Sequence, residues 1–327
     1  MKEKIIFTNG LIDLAQPRLG TKVIYKTDDF FASANRIISP SLPIFKEGVF
    51  DKHGKWMDGW ESRRKRTPGH DYIILKLGKQ GKISKINVDT SHFNGNQPTM
   101  ISIEGANSNS NKINNLKWVS ILKKKKIKAN RHHLYSVKNK KIFTHIKFNI
   151  FPDGGVARLR LYGSIAKLNR FKNKKINLAS LLDGASVIAC NNEHFGKAEN
   201  ILAPGKAKNM GDGWETRRRR HKGNDWLILN SIDGKEIDKI EISTHHFKGN
   251  FPSHCSLQAA YINTKNSKQI VNSSDKWKYL LKNTKLSSNK THIFKNSLMK
   301  KEKINHIKIN IFPDGGISRF KIFGKKA

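Results

Sequence analysis

Two stretches of nearly the same sequence, DGWESRRKR at Asp58–Arg66 and DGWETRRRR at Asp212–Arg220, each set a Trp and an acid directly before a run of cations. A guanidinium is a planar fork that grips a carboxylate or phosphate through two bonds, so such a run offers an anion anchor. If the run is extended, Arg64 shares a face with Trp60, and Arg218 with Trp214; Arg63 and Lys65 share the other face with Glu61. Arg64 and Arg218 are then the expected anchors, with Trp60 and Trp214 as pocket walls. Glu61 and Glu215 lie beside several cations, which lowers a carboxylate's pKa and suits orienting Arg better than donating a proton. Asp71 and Asp225 stand at the entry to apolar segments, where an Asp serves as a cap, a general base or a ligand contact. His92 and His246 hold the same place in an HF-x-GN-x-P motif. An imidazole there can relay protons near neutrality, and Asn96 and Asn250 of the same motif offer both a donor and an acceptor. Arg158 and Arg319 follow two PDGG stretches and can reach an anion. Each of these residues also has a purely structural use. The Arg can pair with Asp58, Glu61 or Asp71, the His with backbone, and the Asn can hold a turn.

Other chemistries have no signal. There is no HxH or HExxH spacing, no GxSxG and no P-loop, so no metal and no cofactor is expected. Cys190 and Cys255 fall at unmatched places, which speaks against a Cys nucleophile, and two Cys give no disulfide framework. A reducing, cytoplasmic setting is the expectation. The N-terminus has no signal-peptide apolar region, because Thr8, Asn9 and Asp13 interrupt it. The apolar runs are too short to cross a membrane.

The elements that must position these residues read as strands. Ile146, Phe148 and Ile150 alternate with Lys147 and Asn149, and Ala157, Leu159 and Leu161 alternate with Arg158, Arg160 and Tyr162. PDGG between them is a turn signal, so the pair reads as a hairpin. The apolar YIIL at Tyr72–Leu75 suits a strand buried on both faces, and Ile86, Val88 and Thr90 form another. Helix is scarce, with one or two turns expected within Thr27–Ile37. Short strands separated by regular turn signals point to an all-β jelly roll or β-sandwich.

The whole unit occurs twice. The Asp58 and Asp212 motifs lie 154 residues apart, as do SHFNGNQP (Ser91–Pro98) and HHFKGNFP (His245–Pro252). HIKFNIFPDGGVARLRLYG from His145 returns as HIKINIFPDGGISRFKIFG from His306, at an offset of 161. A period this long means two homologous domains, 1–170 and 171–327, joined near Asn169–Lys175.

The chain of 327 residues carries a formal net charge of +38, with 14 Arg and 49 Lys. Such charge first suggests a nucleic-acid partner. The Lys are spread everywhere, with runs at Lys123–Lys126 and Lys138–Lys141 that read as solvated loops, and no aromatic residues interleave with them as base stacking requires. Half of the Arg sit in the two opening motifs, so the concentrated Arg is the informative charge. No specific nucleic-acid partner is expected.

The paired motifs DGWESRRKR…HDYIILKLG, VDTSHFNGNQP, DGWETRRRR, STHHFKGNFP and FPDGG resemble those of the allantoicase family over nearly the whole chain and in the same order. The resemblance implies two galactose-binding-domain-like jelly rolls and hydrolysis of allantoate to (S)-ureidoglycolate and urea in purine and allantoin breakdown. It implies a small-molecule substrate, no membrane partner and a homo-oligomer. The family's His-Asp-Trp is His70-Asp71-Tyr72 here in the first copy and Asn224-Asp225-Trp226 in the second, so equivalence of the two sites does not follow. The alternative is a non-enzymatic jelly roll that stacks sugars on Trp60 and Trp214.

Overall fold

A computed structural model describes residues 4–110, 112–166, 174–299 and 303–327. Most regular elements among the described residues are strands. The chain forms two compact units, Ile12–Ala166 and Met1–Leu11 with Lys167–Ala327. The N-terminal residues that the sequence placed with the first repeat go to the second unit instead, where Ile6–Phe7 pair antiparallel with Ser186–Cys190. Residues 169–173 of the expected join lie outside the described residues.

Each unit is built on one strand of 19 residues, Asp71–Asp89 in the first and Asp225–Ser243 in the second. In the first unit the early half of this strand pairs with Lys22–Lys26 and Phe143–Phe151, and Met100–Ala106 and Val119–Lys126 follow outward. Its later half pairs with Arg158–Ile165 and His132–Ser136. The strand thus serves both layers of a sandwich. It bends where Gly78 and Gly81 remove side chains: a Cβ on Gly78 would meet Leu19 O at 2.0 Å, and one on Gly81 would meet Ser164 O at 2.5 Å. The expected YIIL and Ile86–Thr90 strands are two ends of this one element. Ile73, Leu75, Ile86, Val88, Phe148 and Leu159 are all fully buried between the layers.

The expected hairpin across PDGG does not form. Phe143–Phe151 and Arg158–Ile165 flank the turn but pair with opposite halves of the long strand. Gly155–Val156 pair with Trp60–Glu61 on the way, which carries the chain from one layer to the other. The second unit repeats this, with Gly316–Ile317 on Trp214–Glu215. Lys123–Lys126 also differ from expectation. They are exposed, but on the edge strand Val119–Lys126, where Lys blunts the unpaired edge against further pairing. Among the described residues helix is confined to short turns, including Ala34–Ile38, which overlaps the expected stretch, and one α-helix at Ser267–Ser273, capped by the Asn266 side chain. No helix among the described residues is long and apolar enough to cross a membrane.

Candidate active site

Three motifs far apart in sequence meet at one end of each sandwich. In the first repeat Glu61 lies in the two-residue strand Trp60–Glu61, opposite Gly155 of the PDGG turn. Phe93 of HFNGN is fully buried beneath this pairing, and a Cβ on Gly155 would fall 1.9 Å from its ring, so only glycine fits there. Asn96 of the same loop fastens the three together. Its backbone oxygen accepts from Gly155 N at 2.7 Å, and its Nδ2 donates to Glu61 Oε1 at 2.8 Å. The second repeat builds the same junction. Phe247 lies under Gly316, Asn250 O accepts from Gly316 N at 2.8 Å, and Asn250 Nδ2 donates to Glu215 Oε1.

The electrostatics of Glu61 reverse the sequence reading. Burial raises its carboxyl above the usual range, and the Asn96 bond only partly offsets this. Two of the neighbouring cations are spent elsewhere. Arg63 binds Asp28 with Nε and Nη2, each at 2.7 Å. Lys65 Nζ lies 3.0 Å from Asp71 Oδ1, and its backbone N–H donates to Asp153 at 2.8 Å. A half-buried carboxyl with no cation on it holds its proton more readily, which suits an acid–base group. Arg64 and Arg66 are exposed and make no hydrogen bond or ion pair among the described residues.

Arg219 takes the place of Lys65 in the second repeat. Its Nη2 pairs with Asp225, and its backbone N–H donates to Asp314 at 2.8 Å. Arg218, like Arg64, is exposed and unengaged by any described residue.

Several expected site residues have other partners. Trp60 and Trp214 have no exposure and are not pocket walls; their Nε1 atoms donate to Asp28 O and Asn192 O, each at 2.8 Å. The strand ends at Glu61, so the alternation that put Arg64 on the Trp60 face does not continue. A sugar cannot stack on these indoles. Arg158 and Arg319 are buried, and Nη2 of each pairs with the acid that opens the DGW motif of its own repeat, Asp58 at 2.7 Å and Asp212 at 2.8 Å. Their remaining N–H groups go to backbone carbonyls, Ser41 and Asp58 for Arg158, and Gly205 and Asp212 for Arg319. They clamp the chain ahead of each DGW motif and have no donor left for an anion. His92 and His246 adopt positive φ, 69° and 75°, with Nε2 at 3.3 Å from Pro43 O and 2.9 Å from Ala207 O. Asp71 and Asp225 are buried under Lys65 and Arg219.

Asn130 and Asn289 were missed by the sequence reading. Each side chain accepts the backbone N–H of the site His, at 2.9 and 2.8 Å. The signal was present, since an Asn stands three residues before His133 and again before His292. Burial pushes both Cys thiols up, which leaves them unreactive. No group of three or more His, Cys, Asp or Glu among the described residues is placed to hold a metal.

A half-buried acid fastened by an amide, three residues before an unengaged arginine, recurs on two jelly rolls, so the chain is a duplicated β-sandwich protein with a paired candidate site. The allantoicase repeat profile matches residues 12–166 and 176–327. The probable allantoicase of Acinetobacter baumannii strain SDF is 46% identical over 98% of this chain and 95% of its own length. That of Pseudomonas fluorescens strain Pf0-1 is 45% identical over the full length of both. The crystal structure of allantoicase from Saccharomyces cerevisiae superposes with a TM-score of 0.82 at 32% identity, covering 97% of this chain and 94% of that one. The chain belongs to the allantoicase family.

Proposed function

We propose that the chain hydrolyses allantoate to (S)-ureidoglycolate and urea, with Glu61 and Glu215 as the acid–base groups and Arg64 and Arg218 as the carboxylate anchors. The observation that carries the residue assignment is the Asn–Glu bond at the junction of three motifs, made in both repeats. Allantoate has one carboxylate on a carbon that bears two ureido groups. One C–N bond breaks, the departing nitrogen takes a proton, and the carbon takes the hydroxyl of water. Glu61, whose carboxyl burial raises above the usual range, gives its proton to the leaving ureido nitrogen, and Glu215 stands in the same place in the second repeat. The resulting carboxylate takes a proton from the attacking water, which restores the acid. Asn96 and Asn250 fix the carboxyl rotamer through Nδ2, and such positioning contributes to rate by orientation.

The remaining residues named from the sequence are given supporting roles. Asp71 and Asp225 hold Lys65 and Arg219, and so fix the backbone on which Arg64 and Arg218 are carried. His92 and His246 brace the loops that bear Asn96 and Asn250 against Pro43 and Ala207. This work belongs to purine breakdown in the cytoplasm, a setting that suits two free thiols. Purified protein incubated with allantoate should release equimolar urea and ureidoglycolate. A well-folded preparation that releases none rules out the reading.

A further inference from the structure

The two repeats differ at one position that decides a charge balance. Asp28 in the first repeat and Asn192 in the second occupy the same place. Each accepts the indole N–H of its Trp through its backbone oxygen, and each accepts the backbone N–H of the first Arg of the run through Oδ1, at 3.0 and 3.3 Å. The Asp28 carboxylate neutralises Arg63 through both Nε and Nη2. Asn192 has no charge to give. The Arg217 guanidinium meets a ring nitrogen instead, His194 Nδ1 at 3.0 Å.

Beside it, within the second unit, is a cavity of about 660 Å3 whose wall includes Lys4, Arg217, Arg218 and Arg220. Arg219 also lines it but is committed to Asp225. The one acid on the wall, Glu193, is engaged by Lys197 Nζ at 2.7 Å and by the backbone of Ala198 at 3.1 Å. Arg218 and Arg220 make no hydrogen bond or ion pair to a described residue. Three guanidiniums and an ammonium therefore surround one cavity without a carboxylate of their own, an arrangement that repels itself until an anion enters.

We propose that this cavity of the second repeat binds a small phosphorylated molecule that presents two or more adjacent negative charges. The single carboxylate of allantoate occupies one fork, whereas a phosphoryl pair offers enough oxygens for several forks at once. In the first repeat Asp28 already neutralises the matching Arg63. Arg218, the proposed carboxylate anchor of the second repeat, lines this same cavity, so the inference rests on that reading of the site and pyrophosphate competes with allantoate there.

The probe is inorganic pyrophosphate, titrated calorimetrically into the full chain at about 0.15 M salt, where long-range surface attraction is screened. One saturable site per chain is expected, with acetate binding at least ~100-fold more weakly. Asn192→Asp gives Arg217 the carboxylate that Arg63 has, and should weaken pyrophosphate at least ~10-fold with Tm and urea release unchanged. Arg220→Gln should weaken it several-fold, and Asp28→Asn should not weaken it. Absence of a saturable site in the wild type, many weak sites lost with salt, or undiminished binding by both Asn192→Asp and Arg220→Gln overturns the proposal. Urea release from each protein in the absence of pyrophosphate reports separately on the hydrolase reading.

Discussion

Asn96 Nδ2 donates to Glu61 Oε1 at 2.8 Å across a sequence separation of 35 residues, and Asn250 makes the same bond to Glu215. The amide leaves the acid aimed but uncharged by any neighbour. Replacement of Glu61 by Gln keeps an acceptor for Asn96 and removes an ionisable group whose charged form burial disfavours. The E61Q chain should keep or gain thermal stability at neutral pH while the first repeat's share of kcat falls by about 10²- to 10⁴-fold. The E61Q/E215Q double variant should lose urea release altogether. An unaltered kcat in the double variant removes both Glu from the mechanism.

The direction of the Glu61 shift fixes a pH effect. Its carboxyl titrates above the ordinary value, and the Asn96 bond pulls the other way. In Asn96→Asp that bond to the charged form is lost and a like charge is added, so the Glu61 pKa rises further. The acid form then survives to higher pH, and the alkaline limb of kcat for the first repeat should move upward, as measured in an E215Q background. A limb that stays in place or moves down contradicts the acid role.

Arg64 and Arg63 are adjacent and should behave oppositely. Arg64 is unengaged, so Arg64→Lys should leave the melting temperature alone and raise the KM for allantoate roughly 10-fold, because an ammonium cannot grip two oxygens. Arg63 is mostly exposed and holds Asp28. Arg63→Gln should cost less than ~1 kcal/mol and leave KM unchanged. Steady-state kinetics with a melting curve for each variant separates the two.

Arg158 is 1% exposed, and its loss leaves Asp58 and several carbonyls without their donor. Arg158→Met should lower stability by about 3–5 kcal/mol. Chemical denaturation reads this directly, and a cost below ~1 kcal/mol would return Arg158 to the list of free anion contacts.

His306 is buried against Trp277, and burial lowers its pKa to about 4. The folded state needs the neutral ring, so stability is complete above the unfolded pKa near 6.5 and falls as pH drops from there toward about 4. The loss over that window is on the order of 3 kcal/mol. His306→Gln should flatten this part of the stability profile relative to the wild type. Parallel profiles would show that other groups cause the acid sensitivity.

Local information settled much of the molecule. The 154-residue echo of DGWE and HF-x-GN-x-P established the duplication, and apolar strand segments with glycine-rich turns established the β-sandwich. These features depend on side-chain period and turn chemistry, which neighbours along the chain define. The residues that form the candidate site were also named, because Glu61, Asn96, Arg64 and their copies stand in the repeated motifs.

Pairing across the fold decided the rest. A Trp, an Arg and a Glu within seven residues look alike as candidates, but Trp60 is core, Arg63 is neutralised by Asp28, and Glu61 meets Asn96 and no cation. PDGG carries a hairpin's composition, yet it crosses between layers because Gly155–Val156 pair with Trp60–Glu61. Sequence proximity placed cations beside Glu61, whereas a pKa depends on distance and burial in three dimensions, and there Arg63 and Lys65 pair with other acids while no cation sits on Glu61. The sequence by itself determined which residue types arrive at the end of each sandwich. Only the tertiary structure decided which of them are consumed in holding it together and which are left to meet a ligand.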